Sequence, residues 1–124
     1  MITMDNINEA TKQEIFDQVA KHLLEQAEPS ISDENGCAYR GDNGLKCAVG
    51  CLITEDQYED TYRDFEGKVA DSLPGVDGHV GEFLDELQRI HDAIDPLLWR
   101  GELVKLARAN NLNTDALKGN PDAP

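Results

Sequence analysis

All three cysteines of the chain, Cys37, Cys47 and Cys51, fall in one run, Cys37-Ala-Tyr-Arg-Gly-Asp-Asn-Gly-Leu-Lys-Cys-Ala-Val-Gly-Cys-Leu-Ile53. Thiolates bind zinc and attack electrophiles, so this run is where chemistry would first be sought. Cys47 and Cys51 stand four apart, a spacing that turns both sulfurs to one side of a helix. A turn between Cys37 and Cys47 would bring the third thiol across, and His79 or His91 would complete a tetrahedral zinc site. The pattern C-x9-C-x3-C is not a zinc knuckle, however, and nothing in the sequence selects the fourth ligand. Ala48, Val49 and Gly50 surround the last two cysteines with small apolar neighbours, which suits burial, and free cysteine is among the most buried residue types. Buried structural thiols with no cofactor are therefore the favoured reading. Zinc on Cys37, Cys47, Cys51 and His79 is the alternative.

A cysteine nucleophile needs a histidine partner, and His22, His79 and His91 are all available in principle. His91 lies in Arg-Ile-His-Asp on an apolar stripe, where a core histidine bonded to a neighbour is the better expectation. The pair His91-Asp92 also occurs in metal-dependent phosphohydrolases, but the other ligand motifs of those enzymes are missing. Calcium loops fail on ligand positions: Cys37 stands where a loop starting at Asp33 needs an oxygen at its fifth position, and Gly44 where it needs a glutamate at its twelfth. Gly75-x-x-Gly78-x-x-Gly81 matches neither dinucleotide-binding nor P-loop spacing. No catalytic residue is assigned, and the balance favours a protein that is not an enzyme.

The chain has 124 residues and a formal net charge of -14, very unevenly spread. Residues 1–36 carry a net -6, 37–53 a net +1, 54–86 a net -9 and 87–124 none. Such a field repels nucleic acid and anionic membrane and attracts basic partners. Direct nucleic-acid binding is the function class most weakened. No apolar run approaches the roughly 18 residues of a membrane helix, and the N-terminal residues lack the basic and apolar regions of a secretory signal, so a cytoplasmic location is expected. An odd cysteine count without export fits reduced thiols.

The elements that would position these groups are mostly helical. Thr11 and Glu14 form a capping box ahead of Ile15, Phe16, Val19, Ala20, Leu23 and Leu24, which predicts a helix over about 12–27 closed by Pro29. Gly41-Asp42-Asn43-Gly44 lies between Ala38-Tyr39-Arg40 and Leu45-Lys46-Cys47, and the Asn-Gly pair predicts a small hairpin there. The apolar stretch 48–53 fits a buried short helix or a strand equally well. Thr54 and Gln57 form a second capping box, and Tyr58, Tyr62 and Phe65 give the following helix, near 55–66, an aromatic inner face. Its outer face carries Glu55, Asp56, Glu59, Asp60 and Asp64. Residues 67–79 read as a loop. Val80, Phe83, Leu84, Leu87, Ile90, His91 and Ile94 then mark a helix over about 80–94, broken at Asp95-Pro96. Leu98, Trp99, Leu103, Leu106 and Ala107 continue as a last helix to about Ala109, with Arg100, Lys105 and Arg108 outside and Asn110-Asn111 as its stop. The fold expected is mainly α: about four amphipathic helices around one core, with a small β-hairpin inserted after the first. Residues 1–117 read as one globular domain and 118–124 as a disordered tail.

The cysteine run, preceded by Glu-Ile-Phe-Asp-Gln-Val-Ala-Lys-His-Leu-Leu and followed by Leu-Gln-Arg-Ile-His-Asp, resembles a group of small proteins of bacteriophage and bacterial genomes. The resemblance spans roughly Glu14 to Trp99. That group has no established activity, so the resemblance implies an origin rather than a mechanism and transfers no catalytic residue.

The function expected is a small acidic accessory protein, plausibly phage-encoded and cytoplasmic in its host. It would bind a basic host or viral protein through Glu55, Asp56, Glu59, Asp60 and Asp64, as an inhibitor or a nucleic-acid mimic. A small zinc-binding or hydrolytic protein using residues 37–51 is the second expectation. The third is a homo-oligomer joined through an exposed part of the Trp99 stripe.

Overall fold

The computed structural model describes residues 2–28, 31–32, 36–37, 45–61, 73 and 75–118. Helix α1 spans Lys12–Gln26, α2 Glu55–Asp60, α3 Gly78–Ala93 and α4 Trp99–Ala109, and the described chain is mainly helical. Among the described residues, four 3-10 turns, Ile7–Glu9, Gly50–Leu52, Pro96–Leu98 and Asp115–Lys118, connect or extend them.

Local sequence sets the ends of these helices. Thr11 Oγ1 accepts from the Glu14 amide at 3.1 Å while the Thr11 amide donates to Glu14 Oε1 at 2.9 Å, so two of the first turn's orphan donors are satisfied. At the other end Ala27 adopts φ 58°, and its amide donates to the Leu23 carbonyl. Helix α3 stops where Ile94 turns extended ahead of Asp95 and Pro96, and Asp95 Oδ1 then accepts from the Leu97 amide at 2.9 Å to start the next turn. Helix α4 closes in a Schellman motif. Asn111 takes φ 58°, its amide reaches the Arg108 carbonyl at 3.3 Å, and the Leu112 amide reaches the Ala107 carbonyl at 2.8 Å.

The three longer helices supply most of the buried cluster. Ile15, Phe16, Val19, Ala20 and Leu23 of α1 join Val80, Phe83, Leu84, Leu87 and Ile90 of α3 and Trp99, Leu103 and Ala107 of α4. Each large apolar side chain so enclosed stabilises the fold by about 1.5–3 kcal/mol before chain entropy is counted. Residues 47–53 add Cys47, Ala48, Val49, Leu52 and Ile53. This apolar stretch resolves as a helical turn rather than a strand, with Cys51, Leu52 and Ile53 amides donating to the Cys47, Val49 and Gly50 carbonyls. Met4 and Ile7, from the acidic N-terminal segment, and Leu117, next to the expected tail, are also buried.

Two expectations change. The predicted helix over 55–66 ends as an α-helix at Asp60, because Thr61 leaves helical geometry at φ -136°, ψ -54°. Like charges at Glu55/Glu59 and Asp56/Asp60 weaken that helix, and so short a helix has little stability of its own. Of its aromatic face, Tyr58 is half-buried against the core, while Tyr62 and Phe65 lie outside the described residues. The predicted Asn-Gly hairpin is not supported: residues 38–44 lie outside the described chain. The strand pairing that is described is earlier and only two residues long, with β1 (Ile31–Ser32) antiparallel to β2 (Gly36–Cys37) and Ile31 opposite Cys37.

Candidate functional site

The Cys47–Ile53 turn is docked on both α1 and α3 by side-chain amides. Gln26 makes a two-point clamp on Lys46: its Oε1 accepts from the Lys46 amide at 2.9 Å and its Nε2 donates to the Lys46 carbonyl at 2.8 Å. His22 Nε2 meets the same carbonyl at 2.9 Å. From α3, Gln88 Oε1 accepts from the Val49 amide at 3.0 Å, and Gln88 Nε2 donates to Asp92 Oδ1 at 2.7 Å. His91 Nδ1 reaches that carboxylate oxygen too, at 2.7 Å. A polar chain thus runs from Val49 through Gln88 and Asp92 to His91.

His91 is buried, bonded to its neighbour Asp92 and stacked on Trp99, with ring centroids 5.6 Å apart. The core-histidine expectation holds. Trp99 is itself fully buried and donates from its indole Nε1 to the Ile94 carbonyl at 2.9 Å, which locks the bend between α3 and α4. The oligomer contact expected through an exposed part of the Trp99 stripe changes accordingly: burial removes Trp99 itself from that part, while Leu98 of the same stripe stays exposed. Among the described residues, the large apolar side chains that stand in solvent are Leu97 and Leu98, at 91% and 61% exposure.

The Cys47 and Cys51 thiols are held neutral. Cys47 is buried, and its Sγ accepts from the Gly50 amide at 3.2 Å. Burial pushes its thiol far above the ordinary range, with Asp92 and Cys51 acting in the same sense and the Gly50 amide only partly offsetting them. Half-buried Cys51 donates to the Ala48 carbonyl at 3.1 Å, and burial pushes it up to about 12. The thiolate, which is the form that attacks and binds metal, is thus suppressed at neutral pH. Burial also lowers the pKa of His22, partly offset by its bond to the Lys46 carbonyl, while nearby Lys46 and His91 disfavour the proton further.

Of the alternative zinc ligands, Cys47 and Cys51 lie on one turn, whereas His79 is exposed in the first turn of α3. From His79 to His91 the helix rises about 18 Å, so the two histidines serve different ends of α3. Among the described residues no three His, Cys, Asp or Glu side chains gather into a group that could hold a metal ion; the Cys37 side chain lies outside them.

The acidic residues lie on and beyond the short helix that follows the turn. The Thr54–Gln57 capping box forms in both directions, at 3.2 and 3.0 Å, and fixes the start of α2. Glu55, Asp56 and Glu59 are exposed on it. Asp60 is its last residue, with a side chain outside the described set, and Asp64 lies outside altogether.

Sequence reasoning missed the glutamines. Besides Gln26, Gln18 pairs with both backbone groups of Ile2, at 2.8 and 2.7 Å, and Gln13 with both of Asn113, at 2.9 and 3.2 Å. A primary amide carries the same donor and acceptor as a peptide, so each glutamine supplies what a neighbouring strand would. Their positions beside the apolar stripe of α1 were the available signal. No helix among the described residues is long and apolar enough to cross a membrane. No protein-family model matches the chain, and neither a curated protein nor a solved structure is similar to it.

Proposed function

We propose that the protein works by binding another protein through the acidic surface around α2 rather than by catalysis. The observation that carries this reading is the exposure of Glu55, Asp56 and Glu59 on a helix whose first turn is pinned by a reciprocal capping box. Carboxylates spaced along one helix present a concentrated array of negative charge, the feature a basic protein surface recognises in a phosphate backbone. Asp60 and Asp64 extend the array along the sequence, within the segment of net charge -9. The partner is a basic host or viral protein, and the effect is inhibition or nucleic-acid mimicry in the cytoplasm of a bacterial host, in keeping with the phage-type resemblance of the cysteine run.

The second reading is a zinc-binding or hydrolytic protein using Cys37, Cys47 and Cys51, of which Cys47 and Cys51 share one helical turn. Metal analysis of protein purified without chelators separates it: a zinc ratio near one would support it and a ratio near zero would remove it.

Affinity purification from the native host at low and at high salt tests the main reading. Wild type should recover a basic protein at low salt and release it at high salt, and the Glu55→Gln/Asp56→Asn/Glu59→Gln variant should recover much less. Binding that ignores both salt and these substitutions would overturn it, as would failure to recover any specific partner.

A further inference from the structure

We propose that the outer face of α4, with the turn before it, is a two-fold interface with a second copy of this chain. Leu97 stands almost wholly in solvent and Leu98 is mostly exposed at the start of this face. Gly101, Lys105 and Arg108 follow Leu97 at helical spacings of four, four and three, all exposed. Gly101 is the residue the fold does not explain. Glycine inside a helix costs about 0.5–1 kcal/mol relative to alanine. A Cβ built there meets nothing within 4 Å, and no positive φ requires glycine. Close approach of another helix does require a small residue at that point.

Charge chooses the occupant. The face is acidic at one end, with exposed Asp95, and basic at the other, with Arg108 and with Lys105, whose Nζ already pairs with Glu102 Oε1 at 3.2 Å. An antiparallel α4 pair crossing at Gly101 sets Asp95 against the partner's Arg108, because the two positions lie about equally far on either side of the crossing. The same register lays the methylene stem of Lys105 over the partner's Leu97 and Leu98. A parallel pair would oppose like charges. An acidic foreign segment would satisfy the basic end but face Asp95 with its own charge. A second copy satisfies both ends, and the contact is isologous and closes at the dimer. This inference uses a surface other than α2 and does not rest on the function proposed above.

Sedimentation equilibrium of the full chain over a concentration series tests it. Wild type should show a reversible monomer–dimer equilibrium. Leu97→Ser/Leu98→Ser should be monomeric throughout, with an unchanged far-UV spectrum. Gly101→Trp has open space within its own chain, so it should fold and yet lose the dimer. Arg108→Glu should weaken association about fivefold, as expected for two exposed ion pairs of roughly 0.5 kcal/mol each. A wild type that stays monomeric at every concentration would overturn the proposal. A dimer indifferent to the leucine and Gly101 substitutions would overturn it as well.

Discussion

Gln26 and Lys46 face one another through two hydrogen bonds that reproduce a strand pairing with one side chain. This clamp is what fixes the entry to the Cys47–Ile53 turn. Gln26→Ala strands the Lys46 amide, while the Lys46 carbonyl keeps His22, so the loss should be near 1 kcal/mol. Gln26→Glu keeps the acceptor and should fall between wild type and alanine. Urea denaturation measures both; equal midpoints for all three proteins would show that the clamp contributes nothing.

Acidification should expose the second contact to that carbonyl. His22 is half-buried, and its folded-state pKa lies below the ordinary 6.5. The unfolded chain therefore takes up a proton that the folded chain resists, so stability present above about pH 6.5 is lost as pH falls below it. The carboxyl pKa of Glu14 is lowered by its Thr11 hydrogen bonds, so the stability it contributes is lost only at lower pH, below the ordinary glutamate range. Urea midpoints at about pH 7.5 and 5.5 bracket the histidine range. His22→Gln, whose amide can still donate to Lys46, should flatten the drop, and a slope identical to wild type would refute the assignment.

Thiol labelling should report burial. Alkylation near neutral pH followed by peptide mapping should leave Cys47 and Cys51 largely unmodified in the folded chain and label both in denaturant. Rapid modification of Cys47 under native conditions would be incompatible with its packing.

Ala27 holds a left-handed conformation, φ 58°, that glycine adopts without penalty. Its side chain is exposed, so little packing is lost on substitution. Ala27→Gly should raise stability by about 0.5–1 kcal/mol, the reverse of the usual helix-glycine effect. A lower thermal midpoint would contradict the cap geometry.

Trp99→Phe keeps most of the apolar volume but abandons the indole bond to Ile94. It should lose about 1–2 kcal/mol and loosen the α3–α4 bend. Near-UV circular dichroism and urea unfolding together would register both effects, and an unchanged midpoint would mean that the bend is set by Asp95 and Pro96 alone.

The helices were legible because periodic apolar residues and their caps are local signals. Thr11 with Glu14, Thr54 with Gln57, Asp95-Pro96 and Asn110-Asn111 each mark a boundary that the structure keeps. The reach of α2 was not, since Tyr58, Tyr62 and Phe65 promise a longer helix than its repelling carboxylates support. Nor were the burial of Met4 and Leu117 or the glutamine clamps. These depend on which distant backbone meets α1, and neither periodicity nor composition encodes that. At the candidate site, the plain reading of His91 and of the cysteines was available from their apolar neighbours. The exposure of Leu97 and Leu98 was not, because apolar type alone does not say which residues beside the bend face the core: Trp99 turns in while Leu98 of the same stripe stays out.

The Gln13–Asn113 clamp spans 100 positions of sequence. On a ribosome adding about 5–20 residues per second, α1 emerges some 5–20 s before the segment that fastens its flank. Through that interval Phe16, Val19 and Leu23 have no α3 or α4 to cover them. The newborn chain thus passes through a period when its first helix is sticky, and its heavy negative charge then has a use unrelated to any partner: keeping unfinished copies apart until their last helix arrives.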